Sequence, residues 1–345
     1  MKTAQTKTLC RHAFIATLTL AAVLLAAPAT SHADTVYVSN ADNNTIVRFT
    51  PSGVGSVFAD TGLSQPQGLA FDSAGNLYVA NKGSNTILKF TTNGVGSVFA
   101  NTGLNGPIGL AFDSAGNLYA ANNGDSTIEM FTTNGVGSVF ANTGLNGPTG
   151  LASESAGYLY AANYADNTIK KFTLSGGPVS VIANGFNGPI GLAVDSAGSL
   201  YAASYTNNTI EKFPPSGGAG SVFATTGLNS PSGLAFDSAG NLYAANYAND
   251  TIEKFTPDGV GSVFANTGLN GPAFIAIQSP PPWLNIASAG NQLVLYWPAS
   301  ATNYVLQTTT DLSSTNWVAV TNGAPIIGVT VTNTSPAAFF RLQKQ

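Results

Sequence analysis

The sequence predicts an all-β fold, a six-bladed β-propeller followed by a small antiparallel β-sandwich, and three observations carry that prediction. A 41-residue unit recurs, with starts at Gly68, Gly109, Gly150, Gly191 and Gly233, and this period accommodates four short strands. The residues left over at the two ends of the array supply complementary fragments of one further unit. The composition, 44% hydrophobic and 8% charged with 38 glycines, is too apolar for a disordered chain and too sparsely charged for a coiled coil.

In chain order, residues 1–33 are expected to be a secretory signal peptide. Lys2, Lys7 and Arg11 precede the apolar run from Ala13 to Ala27, and the small residues Ser31 and Ala33 suit cleavage before Asp34. That run of about 15 residues falls short of the roughly 20 a membrane helix needs. Cys10, His12 and His32 all lie within it or its flanks, so the chain from Asp34 has neither Cys nor His. Thiol nucleophiles, Ser-His-Asp triads and Cys/His zinc sites are thereby excluded. From Asp34 nine basic residues face sixteen acidic ones, a net −7, which disfavours nucleic acid or an anionic membrane as partner.

Residues 34–278 form the predicted propeller. Within the first complete copy, strands are expected at Leu69 to Phe71, Leu77 to Ala80, Thr86 to Phe90 and Ser97 to Ala100, separated by polar or Gly-rich turns. These are strands a, b, c and d. Ahead of this copy, Val36 to Val38, Thr45 to Phe49 and Ser56 to Ala59 match b, c and d without an a. After the last copy, Phe274 to Ile277 match an a alone. Pairing the two fragments closes a sixth blade and leaves no open end to the ring.

The strings Gly-Leu-Ala-Phe-Asp-x-x-Gly-Asn-Leu-Tyr-x-Ala-Asn and Asn-Thr-Ile-x-Lys-Phe, with Pro just before each Gly-Leu, resemble the NHL-repeat family of β-propellers. The resemblance spans Asp34 to about Gln278. It departs from the family at two places: the usual Asp after strand b is Asn40, Asn81, Asn122, Asn163, Ser204 and Asn246, and a basic residue common before the strand c Ile is Thr. The resemblance implies a binding platform for proteins, nucleic acid or small ligands, with lactonases and lyases as catalytic relatives. Gluconolactonase-type propellers hold a divalent metal with Glu, Asn and Asp from inner strands, whereas the inner strands here repeat Gly-Leu-Ala-Phe with no carboxylate at their start. Virginiamycin B lyase is similar to the repeat too, and that class implies a histidine base.

Residues 279–282, Ser-Pro-Pro-Pro, read as a stiff linker. Residues 283–345 hold all three tryptophans, Trp283, Trp297 and Trp317, and show strand patterns near Leu284 to Ala287, Gln292 to Trp297, Tyr304 to Thr309, Trp317 to Val320, Gly328 to Thr332 and Ala338 to Leu342. Leu293 to Pro298 followed by Tyr304 to Gln307 resembles part of a fibronectin type III or immunoglobulin-like domain lacking its last strand.

The residue types in the turns define the candidate sites. Asp72, Asp113, Glu154, Asp195 and Asp237 open the a–b turns and are expected to accept backbone N–H groups there. Strand c pairs such as Glu211 and Lys212 are expected to form a solvated outer surface. The variable position after strand b reads Ala41, Lys82, Asn123, Tyr164, Tyr205 and Tyr247. Tyr164, Tyr205 and Tyr247, with Lys82 and Asn123, are the candidate ligand-binding residues, because tyrosine offers a flat apolar face with a polar edge. Packing over the adjacent loop is the competing role. The same loops carry Asp42, Asp125, Asp166, Asp250, Asn43, Asn167, Asn207 and Asn249, where calcium is conceivable although no EF-type spacing supports it. The expected function is a secreted, non-catalytic binding or scaffold protein whose loop face takes a protein or glycan, without a resident cofactor. A metal-dependent lactonase or related hydrolase and a structural envelope protein are the alternatives.

Overall fold

The computed structural model describes residues 34–175, 180–215 and 218–280, together with the C-terminal segments 285–289, 292–296, 304–309, 318–319, 328–332 and 339–344. The expected signal peptide, the linker beyond Pro280 and the three tryptophans lie outside the described residues. The chain divides into two compact units, one spanning Ala33–Ser279 and the other containing Pro280–Gln345.

The first unit is a six-bladed propeller of four-stranded antiparallel sheets. Blades 2 to 6 span residues 66–100, 107–141, 148–184, 189–224 and 231–265. Blade 1 joins Thr35–Asn40, Thr45–Phe49 and Gly55–Ala59 to the last strand of the unit, Pro272–Gln278, which enters as strand a. The closure is antiparallel, with Val36 opposite Ile277 and Val38 opposite Ile275. In blade 2 the strands are Pro66–Phe71, Leu77–Asn81, Thr86–Phe90 and Gly96–Ala100. Strand a therefore begins three residues before the expected Leu69. The cause is a bulge: Pro66 pairs with Asn81 and the next pair is Leu69 with Val79. Proline, having no N–H to contribute, is tolerated at this first position.

Strand b is buried along its whole length in blade 2, at Leu77, Tyr78, Val79, Ala80 and Asn81, because neighbouring blades cover both faces of the sheet. The apolar side chains accordingly group into six clusters, each built from two adjacent blades. A second bulge recurs between strands c and d: Ile87 pairs with Ala100 but Leu88 with Val98. The extra residue, Phe99, stands edge-on to Tyr78 of its own blade at 4.9 Å and to Phe131 of the next at 6.2 Å. Phe58, Phe140, Phe223 and Phe264 bridge the other blades in the same way. Blade 4 has Ile182 at this place, and Phe186 from the following loop packs on Phe213 at 5.6 Å instead.

At the axis the strands a approach more closely still. A Cβ on Gly109 would strike the carbonyl of Thr149, and one on Gly150 the carbonyl of Ile190, so only glycine permits this spacing.

In the second unit the described strands pair as two three-stranded antiparallel sheets. One orders Asn285–Ala289, Gln292–Tyr296 and Gly328–Thr332, and the other Val318–Ala319, Tyr304–Thr309 and Phe339–Lys344. Among the described residues no helix is long and apolar enough to cross a membrane.

The inter-blade cores set where stability resides. Phe131→Ala, at a fully buried position, is expected to cost about 3–5 kcal/mol in urea unfolding. Val139→Ala, on the exposed strand d of the same blade, is expected to cost about 0.5 kcal/mol or less; equal losses would show that the blades do not depend on this packing.

Candidate functional site

The b–c and d–a loops share one end of the propeller, as their backbone bonds show. Lys82 N–H donates to Gln65 O at 3.3 Å and Gly83 N–H to Ser64 O at 2.9 Å, prolonging the a–b ladder into the loops. The residue that closes strand b anchors this arrangement. Asn122 is fully buried; its Oδ1 accepts from Asn105 N–H at 3.2 Å, and its Nδ2 donates to Gly103 O at 2.8 Å and Thr127 Oγ1 at 3.0 Å. Asn40 and Asn246 repeat the pattern with Thr45 and Thr251. The Asn and Thr noted in the sequence thus bond each other directly, a neutral pair with no charge to desolvate.

Each b–c loop also reaches to the next blade. Its last residue takes a positive φ, for example 53° at Asn85 and 57° at Asn167, which Asn tolerates better than most residues. From there Asn85 Oδ1 accepts from Gly106 N–H at 2.7 Å, Asn167 Oδ1 from Gly188 N–H at 2.8 Å and Asp250 Oδ1 from Gly271 N–H at 2.8 Å. Equivalent bonds from Asn44, Ser126 and Asn208 complete the ring.

The candidate tyrosines form an arc over blades 4 to 6. Tyr164 is 42% exposed and lies against Gly188 of blade 5, where an added Cβ would come within 2.8 Å of its ring. Gly188 O in turn accepts the Tyr205 N–H at 3.0 Å. The Tyr205 and Tyr247 rings are 6.4 Å apart, and Tyr247 OH donates to Asp42 Oδ1 at 2.9 Å. Burial, together with this bond to a carboxylate, pushes the Tyr247 phenol up to about 12. All three rings therefore contact a neighbouring blade, and Tyr164 exposes the most surface. Asn123 spans to the next blade too, donating to Pro148 O at 3.4 Å. Lys82 occupies the equivalent place on blade 2, in a single 3-10 turn, Lys82–Ser84.

Among the described residues, seven of the eight loop positions at which calcium was conceivable, all but Asn207, have side chains with partners within the protein. Asn43, Asp125, Asp166 and Asn249 accept from the strand c threonines Thr45, Thr127, Thr168 and Thr251. Among the described residues no group of three or more His, Cys, Asp or Glu is arranged to hold a metal ion. At the axis, strand a carries one titratable side chain in the six blades, Glu154, at its far end, accepting from Tyr160 OH at 2.7 Å.

The opposite face carries a constellation that the sequence reasoning missed. Asp72 Oδ1 accepts from Ala74 and Asn76 N–H at 2.9 and 2.8 Å, as the turn reading expected. Its Oδ2 also takes Tyr78 OH at 3.4 Å and pairs with Lys89 Nζ at 3.5 Å, while Lys89 lies 5.1 Å from the Tyr78 ring centre. Burial favours the neutral acid, yet the Asn76 hydrogen bonds and the Lys89 charge hold Asp72 below its ordinary pKa. Asp195, Tyr201 and Lys212, and Asp237, Tyr243 and Lys254, repeat the triad. Blade 3 has Met130 in place of the lysine. A signal was present, since Asp, Tyr and Lys recur in register in blades 2, 5 and 6, but adjacent strands had to be paired to see it. Two open grooves of about 300 Å³ lie on this face, one lined by Asp72, Tyr78, Lys89, Phe112 and Asp113, the other by Ser153, Glu154 and Asp195.

These triads correct the reading of strand c as a solvated surface. Lys212 is drawn to Asp195 and Tyr201, Glu211 is partly buried, and Glu129 and Glu253 are buried. Burial raises all three glutamates, with Asp125 adding to the effect at Glu129.

Residues 63–90, part of the first complete copy, match the NHL repeat family. No curated protein matches the chain. Among solved structures, a chain from "Crystal structure of Nidogen/Laminin Complex" is 19% identical with a TM-score of 0.65, covering 71% of this chain and 98% of that one. Virginiamycin B lyase from Staphylococcus aureus, as its selenomethionine-substituted form, is 17% identical with a TM-score of 0.54, covering 76% and 87%. A streptogramin B lyase is 18% identical with a TM-score of 0.57, covering 76% and 86%. At these identities the likeness is one of fold.

Two outcomes test this geometry. Asn122→Asp places a carboxylate where the amide donated twice, and is expected to cost about 2–3 kcal/mol in denaturant unfolding; a neutral result would separate the Asn–Thr pair from stability. Glu253 has a raised folded-state pKa, so its contribution is complete below about pH 4, the ordinary Glu range, and is lost as pH rises through the folded value. Glu253→Gln is expected to raise the melting temperature at neutral pH, with the gain vanishing near about pH 3. A gain that persists in acid would contradict a desolvated carboxylate.

Proposed function

We propose that the chain is an exported, non-catalytic binding protein whose propeller loop face holds a protein partner, with a glycan as the other ligand class of the same surface. The observation that carries this reading is the arc of Tyr164, Tyr205 and Tyr247 on three consecutive blades, at a loop position that otherwise varies, mounted on loops tied blade to blade by side-chain hydrogen bonds. A rigid frame with a variable, aromatic surface recognises a partner at little cost in conformational entropy. The propeller seen in a nidogen/laminin complex supports a protein as partner for a fold of this kind.

The chain's residues favour binding over catalysis. Beyond Asp34 it has no His or Cys, and its inner strands offer only Glu154 as an acid or base. Residues 1–33 supply the export signal in this reading. The two three-stranded sheets beyond residue 280 support a fibronectin type III-like or immunoglobulin-like module, which attaches the propeller to a surface.

Tyr164→Ala is the cleanest variant, because this ring makes no hydrogen bond through its hydroxyl among the described residues. On an array of glycans and purified surface proteins, binding is expected to weaken roughly tenfold or more, with the melting temperature moved by less than about 2 °C. A large fall in melting temperature with unchanged binding would make Tyr164 a packing residue. Capture that survives Tyr164→Ala, Tyr205→Ala and Tyr247→Ala together would move the site off this face.

A further inference from the structure

Among the described residues, the large hydrophobic side chains left exposed are Tyr164 and ten valines. All ten valines lie on strand d, the outermost strand of a blade, or in the turn leading into it. Val57, Val98, Val139, Val181, Val222 and Val263 take equivalent positions on the six strands and are 53% to 61% exposed. Strand d pairs with strand c alone, so its outer edge presents unpaired backbone donors and acceptors beside each valine.

Proteins usually protect such an edge with charge, proline or a bulge that turns it away. The six strands d contain no charged residue and no proline. Their bulge aims a phenylalanine, or Ile182 in blade 4, inward and leaves the outer edge extended. The sequence Gly-Val-Gly-Ser-Val-Phe-Ala also recurs unchanged at 53–59, 94–100, 135–141 and 259–265. Over the same four blades the second residue of strand a varies as Ala273, Gln67, Ile108 and Ser232. Valines more than half exposed at all six equivalent positions are apolar area left in water, which a contact outside the chain would bury.

We infer that the rim is a self-pairing surface: strand d of one copy pairs antiparallel with strand d of a second copy, joining two blades into one eight-stranded sheet with their valines packed across a two-fold axis. Two identical strands are complementary under that symmetry, and a different partner would have to match the same edge around the ring. Charge directs the copies edge to edge. The loops of the tyrosine face carry Asp42, Asp60, Asp125, Asp166 and Asp250 against Lys82, so two such faces repel. The described rim strands and their turns carry only Asp258. A strand of five residues is about 17 Å long, so a single edge buries less than the roughly 1,000 Å² of a stable interface. One contact is therefore weak, and several edges per disc act together to build lateral arrays. This surface is distinct from the loop face and does not depend on the function proposed for it.

Sedimentation velocity of the full chain from about 10 µM to about 1 mM tests the inference, alongside two quadruple variants at Val57, Val98, Val139 and Val263. One variant changes all four to Lys, and the other to Thr, which keeps the shape and β-branching if the Lys protein fails to fold. The wild type is expected to form dimers and larger species with rising concentration. Either variant, with its melting temperature unchanged, is expected to need at least about tenfold higher protein for the same association. A wild type that stays monomeric throughout overturns the inference, as does a folded variant that associates like the wild type.

Discussion

A blade of this propeller cannot bury its own faces. Each four-stranded sheet is apolar on both sides, and each hydrophobic cluster is assembled from two neighbours, so no blade has a core until the next is in place. Closure is therefore a condition of stability for the whole ring. The pairing of Thr35–Asn40 with Pro272–Gln278 supplies it, joining residues more than two hundred positions apart. The glycines at the axis set the spacing, the bulged phenylalanines fill the space further out, and the exchange of Phe for Ile182 in blade 4 is made good by Phe186.

Polar groups serve the same constraint at the two ends. On one face the b–c loops hydrogen-bond across blade boundaries through Asn, Ser and Asp side chains, and Tyr164, Tyr205 and Tyr247 lean on the following blade. On the other, Asp, Tyr and Lys from the a–b turn, strand b and strand c draw each sheet together. The tyrosine arc is consequently both part of the ring's framework and its most aromatic exposed surface. Rigidity and recognition are compatible here because the loops contact their neighbours through backbone and short side chains, leaving the ring of Tyr164 partly free. The rim is the sheet edge left over once the faces of the blades have found their neighbours.

The repeat period, the two end fragments and the turn carboxylates were legible in the amino-acid order, because each depends on spacing along the chain. From them followed six blades, the closing strand and the N–H-accepting role of Asp72, Asp113, Asp195 and Asp237, whereas Glu154, expected to do the same, accepts Tyr160 OH instead. Where strand a begins was not legible, since the bulge at Gln67 and Gly68 exists only against Asn81 and Val79 of the paired strand. The burial of Glu129 and Glu253 was hidden for the same reason: an alternating apolar and charged strand reads as half-solvated unless the neighbouring loops are known to cover it. The loop tyrosines could be named from alignment of the copies, but that Tyr247 bonds Asp42 across the closure depends on blades 6 and 1 being adjacent in space.

The sequence by itself determined the architecture, because a propeller's blade count is written in a one-dimensional repeat and its closure in the fragments at the ends. The tertiary structure alone decided which side chains are spent holding blades together and which are left to meet something else. That division is made by contacts between residues about 41 positions apart or at opposite ends of the unit, and local order along the chain carries no record of it.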